Sequence, residues 1–207
     1  MKPRVCILDY GSGNVRSVSN SLSRMGVEWS ISNQTRDIET ATHLILPGVG
    51  AFGSAMRKIR EQLPIGLIEK KVSEDQLPLL GICVGMQVLA DVGHEFGSHS
   101  GLGWIPGEVN KIDSKGKLLP HIGWNEIDHQ TQCPLLDGID TKTDFYFLHS
   151  FAFRLLDMTL VKATVEYGTH FTAVVQKDNL FGVQFHPEKS QLAGMKVFEN
   201  FLSYNHE

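Results

Sequence analysis

The chain has 207 residues, 42% of them hydrophobic and 20% charged, with a formal net charge of −4. These values exclude a disordered or low-complexity chain, and they leave no basic surface of the kind that nucleic acid or an anionic membrane would need. The length suffices for one full core, and no Pro/Gly/Ser-rich or charged linker interrupts it, so residues 1–207 read as one domain.

In chain order, Arg4 to Leu8 reads as a strand. Val15, Val18, Leu22 and Met25, spaced by three and four, mark a helix that ends before Gly26. Glu28 to Ser32 and His43 to Leu46 are further strand candidates. After Pro47-Gly48-Val49-Gly50-Ala51-Phe52-Gly53 a helical region runs toward Lys71, interrupted at Pro64, and Leu77 to Ile82 is the next strand. Alternation of this kind implies a parallel sheet covered on both faces. The second half has another texture. Gly103 to Ile112, Leu118 to Ile127, Phe145 to Phe153, Leu160 to Tyr167, Phe171 to Gln176 and Leu180 to Phe185 are strand-like, and antiparallel strands extending the same sheet are expected. A closing helix places Leu192, Met195, Phe198, Phe201 and Leu202 on one face. The fold class is therefore α/β, a three-layer sandwich with a mostly parallel central sheet.

No apolar run is long enough to span a bilayer, and the first one stops at Asp9, far short of a secretory leader. Cys6, Cys83 and Cys133 form no C-x-x-C pair, which argues against a disulfide framework or a cysteine zinc site. Cys6 reads as a buried strand residue. A reducing, cytoplasmic setting is expected.

Cys83 carries the chemistry. In Gly81-Ile82-Cys83-Val84-Gly85-Met86-Gln87 a strand ends at a cysteine flanked by glycines and gives way to a helix-compatible stretch. The spacing is the cysteine counterpart of the serine nucleophile elbow, and a helix N-terminus would favour thiolate. About a hundred residues later, His186-Pro187-Glu188 offers a base and a carboxylate two positions apart, side by side if the segment is extended. An ordinary thiol, with a pKa of about 8.5, is only a few per cent thiolate at neutral pH and needs such a base. Glu188 would fix the tautomer of His186, which would exchange protons with Cys83.

Together these residues resemble the triad-type, class I glutamine amidotransferases. Asp9-Tyr10-Gly11-Ser12-Gly13-Asn14, Pro47-Gly48-Val49-Gly50, Pro120-His121-Ile122-Gly123-Trp124-Asn125, Tyr146-Phe147-Leu148-His149-Ser150 and His186-Pro187-Glu188-Lys189-Ser190 are more narrowly similar to the glutaminase subunit of imidazole glycerol phosphate synthase. The resemblance implies a flavodoxin-like fold and hydrolysis of L-glutamine through a thioester, with no cofactor and no metal. It also implies that the ammonia passes to a (β/α)₈-barrel cyclase partner, as a heterodimer, in histidine biosynthesis. By the same resemblance, Val49, Gly50 and Val84 supply the oxyanion hole, and Gln87, Ser150 and Phe151 contact the substrate. Asn14, Tyr146 and Lys189 lie at the partner interface. The family more often has tyrosine where this chain has Phe151. In that family the glycine-flanked Val49 peptide is thought to rotate when the partner is loaded.

Other readings are weaker. Gly11-Ser12-Gly13-Asn14 has Arg16 where a dinucleotide loop has its third glycine. His94 with His99, and His121 with His129, each lack the second pair that zinc would require. A glutaminase serving a surface-polysaccharide sugar amidotransferase, a non-catalytic scaffold, and a cysteine hydrolase on the same architecture are the alternatives.

Overall fold

A computed structural model describes residues 2–129 and 132–204. The first half follows the sequence closely, because each element is set by local patterning. Strand β1 (Arg4–Leu8), helix α1 (Val15–Arg24) and strand β2 (Glu28–Ser32) lie at the expected places. They are followed by α2 (Thr35–Thr40), which the sequence reading had not marked, and by β3 (His43–Gly48). Pro64 divides the long helical region into α3 (Phe52–Gln62) and α4 (Ile65–Ser73). It stands at the N-cap of α4, where its missing N–H costs nothing. Strand β4 (Leu79–Cys83) then runs, wholly buried, into a single helical turn, α5 (Val84–Gln87).

In the second half come β5 (Val92–Gly93), β6 (His99–Ser100), β7 (Gly107–Lys111), β8 (His121–Asp128), β9 (Asp144–His149) and β10 (Phe151–Leu155). Strands β11 (Val161–Tyr167), β12 (Thr169–Lys177) and β13 (Leu180–Val183) precede the closing helix α6 (Gln191–Ser203). Among the described residues the main sheet has nine strands in the order β2-β1-β3-β4-β13-β12-β11-β8-β9. Neighbours from β2 to β13 pair in parallel, and those from β13 to β9 pair antiparallel. The mixed α/β sheet is as expected.

Two expectations about the second half are corrected. Gly103 to Ile112 does not extend the main sheet: its strand, β7, joins β10, β5 and β6 in a separate four-stranded sheet. Nor is Phe145 to Phe153 one strand. It breaks at Ser150, with β9 pairing β8 in one sheet and β10 pairing β7 in the other. A strand that changes sheets keeps its apolar alternation on both sides of the break, so periodicity cannot reveal it.

Parallel pairing fixes the layout of the rim. Register sets Gly48 opposite Cys83 and Val183 opposite Ile82, so the carboxyl ends of β3, β4 and β13 finish side by side. Ligand sites in open α/β sheets form beyond such ends.

Candidate active site

Cys83 adopts φ +55° and ψ −112°, a backbone conformation in which a non-glycine residue is held only by its surroundings. The surroundings are glycines. A Cβ on Gly81 would lie 2.6 Å from the Gly85 carbonyl oxygen, a Cβ on Gly85 would fall on the Leu46 carbonyl, and one on Gly48 would meet the Gly85 amide. The elbow is thus packed backbone against backbone, as the two flanking glycines suggested. The helix that follows is shorter than expected. One turn carries a smaller dipole than a full helix, so the thiol depends more on its side-chain partners.

His186 lines the same cavity as Cys83, and its imidazole interacts with that thiol. The segment that carries it differs from the expectation: β13 ends at Val183, and Pro187–Lys189 forms a 3₁₀ turn rather than continued strand. His186 alone keeps extended geometry (φ −103°, ψ 94°), and the turn brings Glu188 back under it. The Nδ1 atom of His186 lies 2.9 Å from Glu188 Oε1, with both side chains almost fully buried. Burial by itself would lower the His186 pKa. The hydrogen bonds to Cys83 and Glu188, with their negative charges, outweigh it and raise the value to about 10. The imidazole is built to hold a proton beside the sulfur.

Asn14, expected at the partner interface, also contacts the triad. Its Nδ2 donates to Glu188 Oε1 at 3.1 Å, so it braces the carboxylate from within the site. Ser190 is a further brace: its hydroxyl donates to the His186 carbonyl (2.7 Å) and accepts from the Tyr146 N–H (3.0 Å). The His186 N–H in turn donates to the Tyr146 carbonyl (2.9 Å). Tyr146 itself is half-buried and carries the exposed Lys189 ammonium 5.4 Å from its ring centroid.

A small cavity of about 110 Å³ opens onto the sulfur. Its walls include Cys83, His186, Val49, Gly50, Val84, Gln87, Ser150 and Phe151, all singled out in the sequence. They also include Glu95, which the sequence did not mark, and Leu148 and His149, marked there only as part of a motif. Glu95 sits in a stretch without regular patterning. One of its oxygens accepts the Phe52 N–H at the start of α3 (2.9 Å), leaving its charge at the cavity wall. Val49 is 40% exposed and its carbonyl accepts from the Ser12 hydroxyl at 3.3 Å, while Gly50 has φ +85°.

Behind the cavity lies a polar chain. Phe151 O can only accept, so the His149 Nδ1 at 2.8 Å carries a proton. By the same logic His149 Nε2 accepts from His121 Nδ1 (3.3 Å), whose Nε2 accepts from Asn125 Nδ2 (3.3 Å). Burial dominates both rings, pushing His149 down to about 3 and His121 to about 4, and the two stay neutral. Among the described residues no group of three or more His, Cys, Asp or Glu could hold a metal ion.

The glutamine amidotransferase class-I family model matches residues 6–204. A protein of Rhodospirillum rubrum named imidazole glycerol phosphate synthase subunit HisH is 45% identical, over 97% of this chain and 99% of its own. The chain belongs to the class-I glutamine amidotransferases, among the HisH subunits. HisH 1 of Campylobacter jejuni (strain RM1221) is 43% identical over 96% of this chain and 98% of that one. The solved structure of PurLQS from Thermotoga maritima shares the fold, with a TM-score of 0.75 at 23% identity, covering 99% of each chain. Membership makes the chain an enzyme of the glutamine amidotransferase class and bears out the family expected from its motifs. Among the described residues no helix is long and apolar enough to cross a membrane.

Proposed function

We propose that this chain is one glutaminase domain that hydrolyses L-glutamine to glutamate and ammonia with Cys83, His186 and Glu188 as its triad. The observation that carries the reading is that Cys83 and His186 meet at the wall of one small cavity, with His186 Nδ1 bonded to the buried Glu188 carboxylate at 2.9 Å. His186 takes the thiol proton, and the sulfur attacks the side-chain carbonyl carbon of glutamine. The oxyanion is received by the Val84 N–H and by the Val49–Gly50 segment, each donor worth roughly 10²–10³ in rate. His186 then protonates the departing ammonia, and afterwards draws a proton from the water that cleaves the thioester. Gln87, Ser150 and Phe151 hold the amino acid end, with the Glu95 carboxylate placed to attract its ammonium group. Thiol, imidazole and carboxylate supply every step without a cofactor.

The ammonia is received by a (β/α)₈-barrel cyclase subunit, in a cytoplasmic heterodimer that forms imidazole glycerol phosphate for histidine synthesis. An exposed apolar stripe supports the partner. On β8 and β9, Ile122 is paired with Leu148 and Trp124 with Tyr146, and Ile122, Trp124 and Leu148 are exposed beside the cavity. Asn14, Tyr146 and Lys189 border that face. The test is glutamate release by this chain alone, then with a barrel cyclase and its ligand. The reading expects poor turnover alone and strong stimulation in the complex, and equal rates would count against it. The alternative client from the sequence reading is a surface-polysaccharide sugar amidotransferase. Stimulation by that enzyme and not by the cyclase would select it.

A further inference from the structure

Gln184 lies one residue past β13, completely buried, with its backbone N–H bonded to Ala173 O of β12 at 2.9 Å. A buried amide must be satisfied on both its atoms, and its partners fix which way it faces. The Phe151 carbonyl is an acceptor only. The Gln87 atom 2.8 Å from it is therefore the NH₂ group. That same Nε2 lies 3.0 Å from the Gln184 amide, so the Gln184 atom toward it is the carbonyl oxygen. The Gln184 NH₂ is then left pointing at the sulfur, with Nε2 3.6 Å from Cys83 Sγ, inside the range of N–H···S contacts.

We infer that Gln184 is a second donor to the nucleophile, its amide N–H stabilising the Cys83 thiolate from a buried position outside the cavity lining while its oxygen orients Gln87. The inference rests on the proposal that Cys83 is the nucleophile. Two effects follow. A hydrogen bond to an ionised acceptor is about twice as strong as one to a neutral group, so the donor favours sulfur as thiolate. Because Gln87 spends both amide hydrogens on Phe151 O and Gln184 Oε1, its own Oε1 is the amide atom left for the substrate. Gln87 meets glutamine as an acceptor.

The experiment is the pH dependence of Cys83 alkylation by iodoacetamide in the full-length protein, located by peptide mapping, with steady-state glutaminase rates alongside. Gln184→Met keeps length and volume but has no donor. Its alkylation midpoint is expected to rise by about one pH unit, a roughly tenfold loss of thiolate near neutrality, with a matching fall in kcat. Gln87→Met keeps the Gln184 amide but removes the group that orients it, and should raise KM with a smaller rise of the midpoint than Gln184→Met. If Gln184→Met does not fold, Gln184→Glu, which turns an acceptor toward the sulfur, is expected to raise the midpoint by at least as much. An unmoved midpoint in the folded Gln184 variant overturns the inference, and so does an equal shift in Gln87→Met. If iodoacetamide spares Cys83 in the wild-type protein, the nucleophile assignment itself falls, and with it this donor.

Discussion

The two halves of the site are held in opposite ways. On one side, Cys83, Gln184, His186 and Glu188 sit in the interior, joined by hydrogen bonds and by glycines whose backbones touch. On the other, the oxyanion segment lies at the surface. Val49 is 40% exposed, a Cβ on Gly50 would meet nothing within 4 Å, and a single 3.3 Å contact from the Ser12 hydroxyl holds the Val49 carbonyl. Proton transfer needs fixed heavy-atom distances, so its groups are locked into the core. On the proposed function, a segment that answers to a partner must be free to turn, and Gly50 after Val49 keeps that turn sterically cheap. On the proposed function, that division puts turnover and its control in different packing environments of one cavity.

That contrast can be broken from the rigid side first. His186→Ala removes the base, and kcat should fall about 10⁴-fold or more in a stopped glutamate assay. Glu188→Gln leaves the shape but not the charge that orients the ring, and a loss of about 10²–10⁴ is expected. Gly85→Ala forces a side chain onto the Leu46 carbonyl backbone, where no flexible group can yield. Its denaturation midpoint should drop by the equivalent of about 3 kcal/mol or more. The loose side should respond differently. Gly50→Ala meets open space, so only the cost of a positive φ applies, roughly 1–2 kcal/mol, and the damage should appear mainly as lost stimulation by the partner. If Gly50→Ala abolished basal turnover as thoroughly as His186→Ala, the division would be wrong.

How much of this could be read beforehand follows from the same physics. Cys83, Gly81, Gly85, His186 and Glu188 are legible because a nucleophile elbow and a base with its carboxylate are short-range patterns. Apart from the short α2, the strands and helices up to β4 are legible because apolar spacing is local. Gln184, Glu95, Asn14 and Ser190 are not. Their roles arise from contacts between segments distant in sequence, such as Asn14 with Glu188 and Gln184 with Cys83, and an amide or hydroxyl in a strand or loop carries no pattern of its own. The second sheet was missed for a related reason. Two-residue strands such as β5 and β6 have no periodicity to detect, and only their pairing with β7 defines them.

The smallest effect concerns the histidine chain that backs the cavity. His149 and His121 have folded-state values of about 3 and about 4, below the ordinary 6.5. The unfolded chain therefore takes up protons first as the pH falls. These two groups should erode stability progressively below about pH 6.5, down to their folded values, and not above it. Urea midpoints measured from pH 7 to pH 4 should decline, and His121→Phe should flatten the decline. A slope that the variant leaves unchanged would assign the loss to carboxylates instead.

The account depends most on one sulfur being poised by an imidazole that a carboxylate steadies. The direct measurement is to incubate the protein with an electrophilic glutamine analogue and map the adduct by mass spectrometry. A single adduct on Cys83, formed at the rate at which glutaminase activity disappears and prevented by excess glutamine, is the predicted result. Activity that survives complete modification of Cys83, or an adduct on Cys6 or Cys133 that tracks the loss, would contradict it.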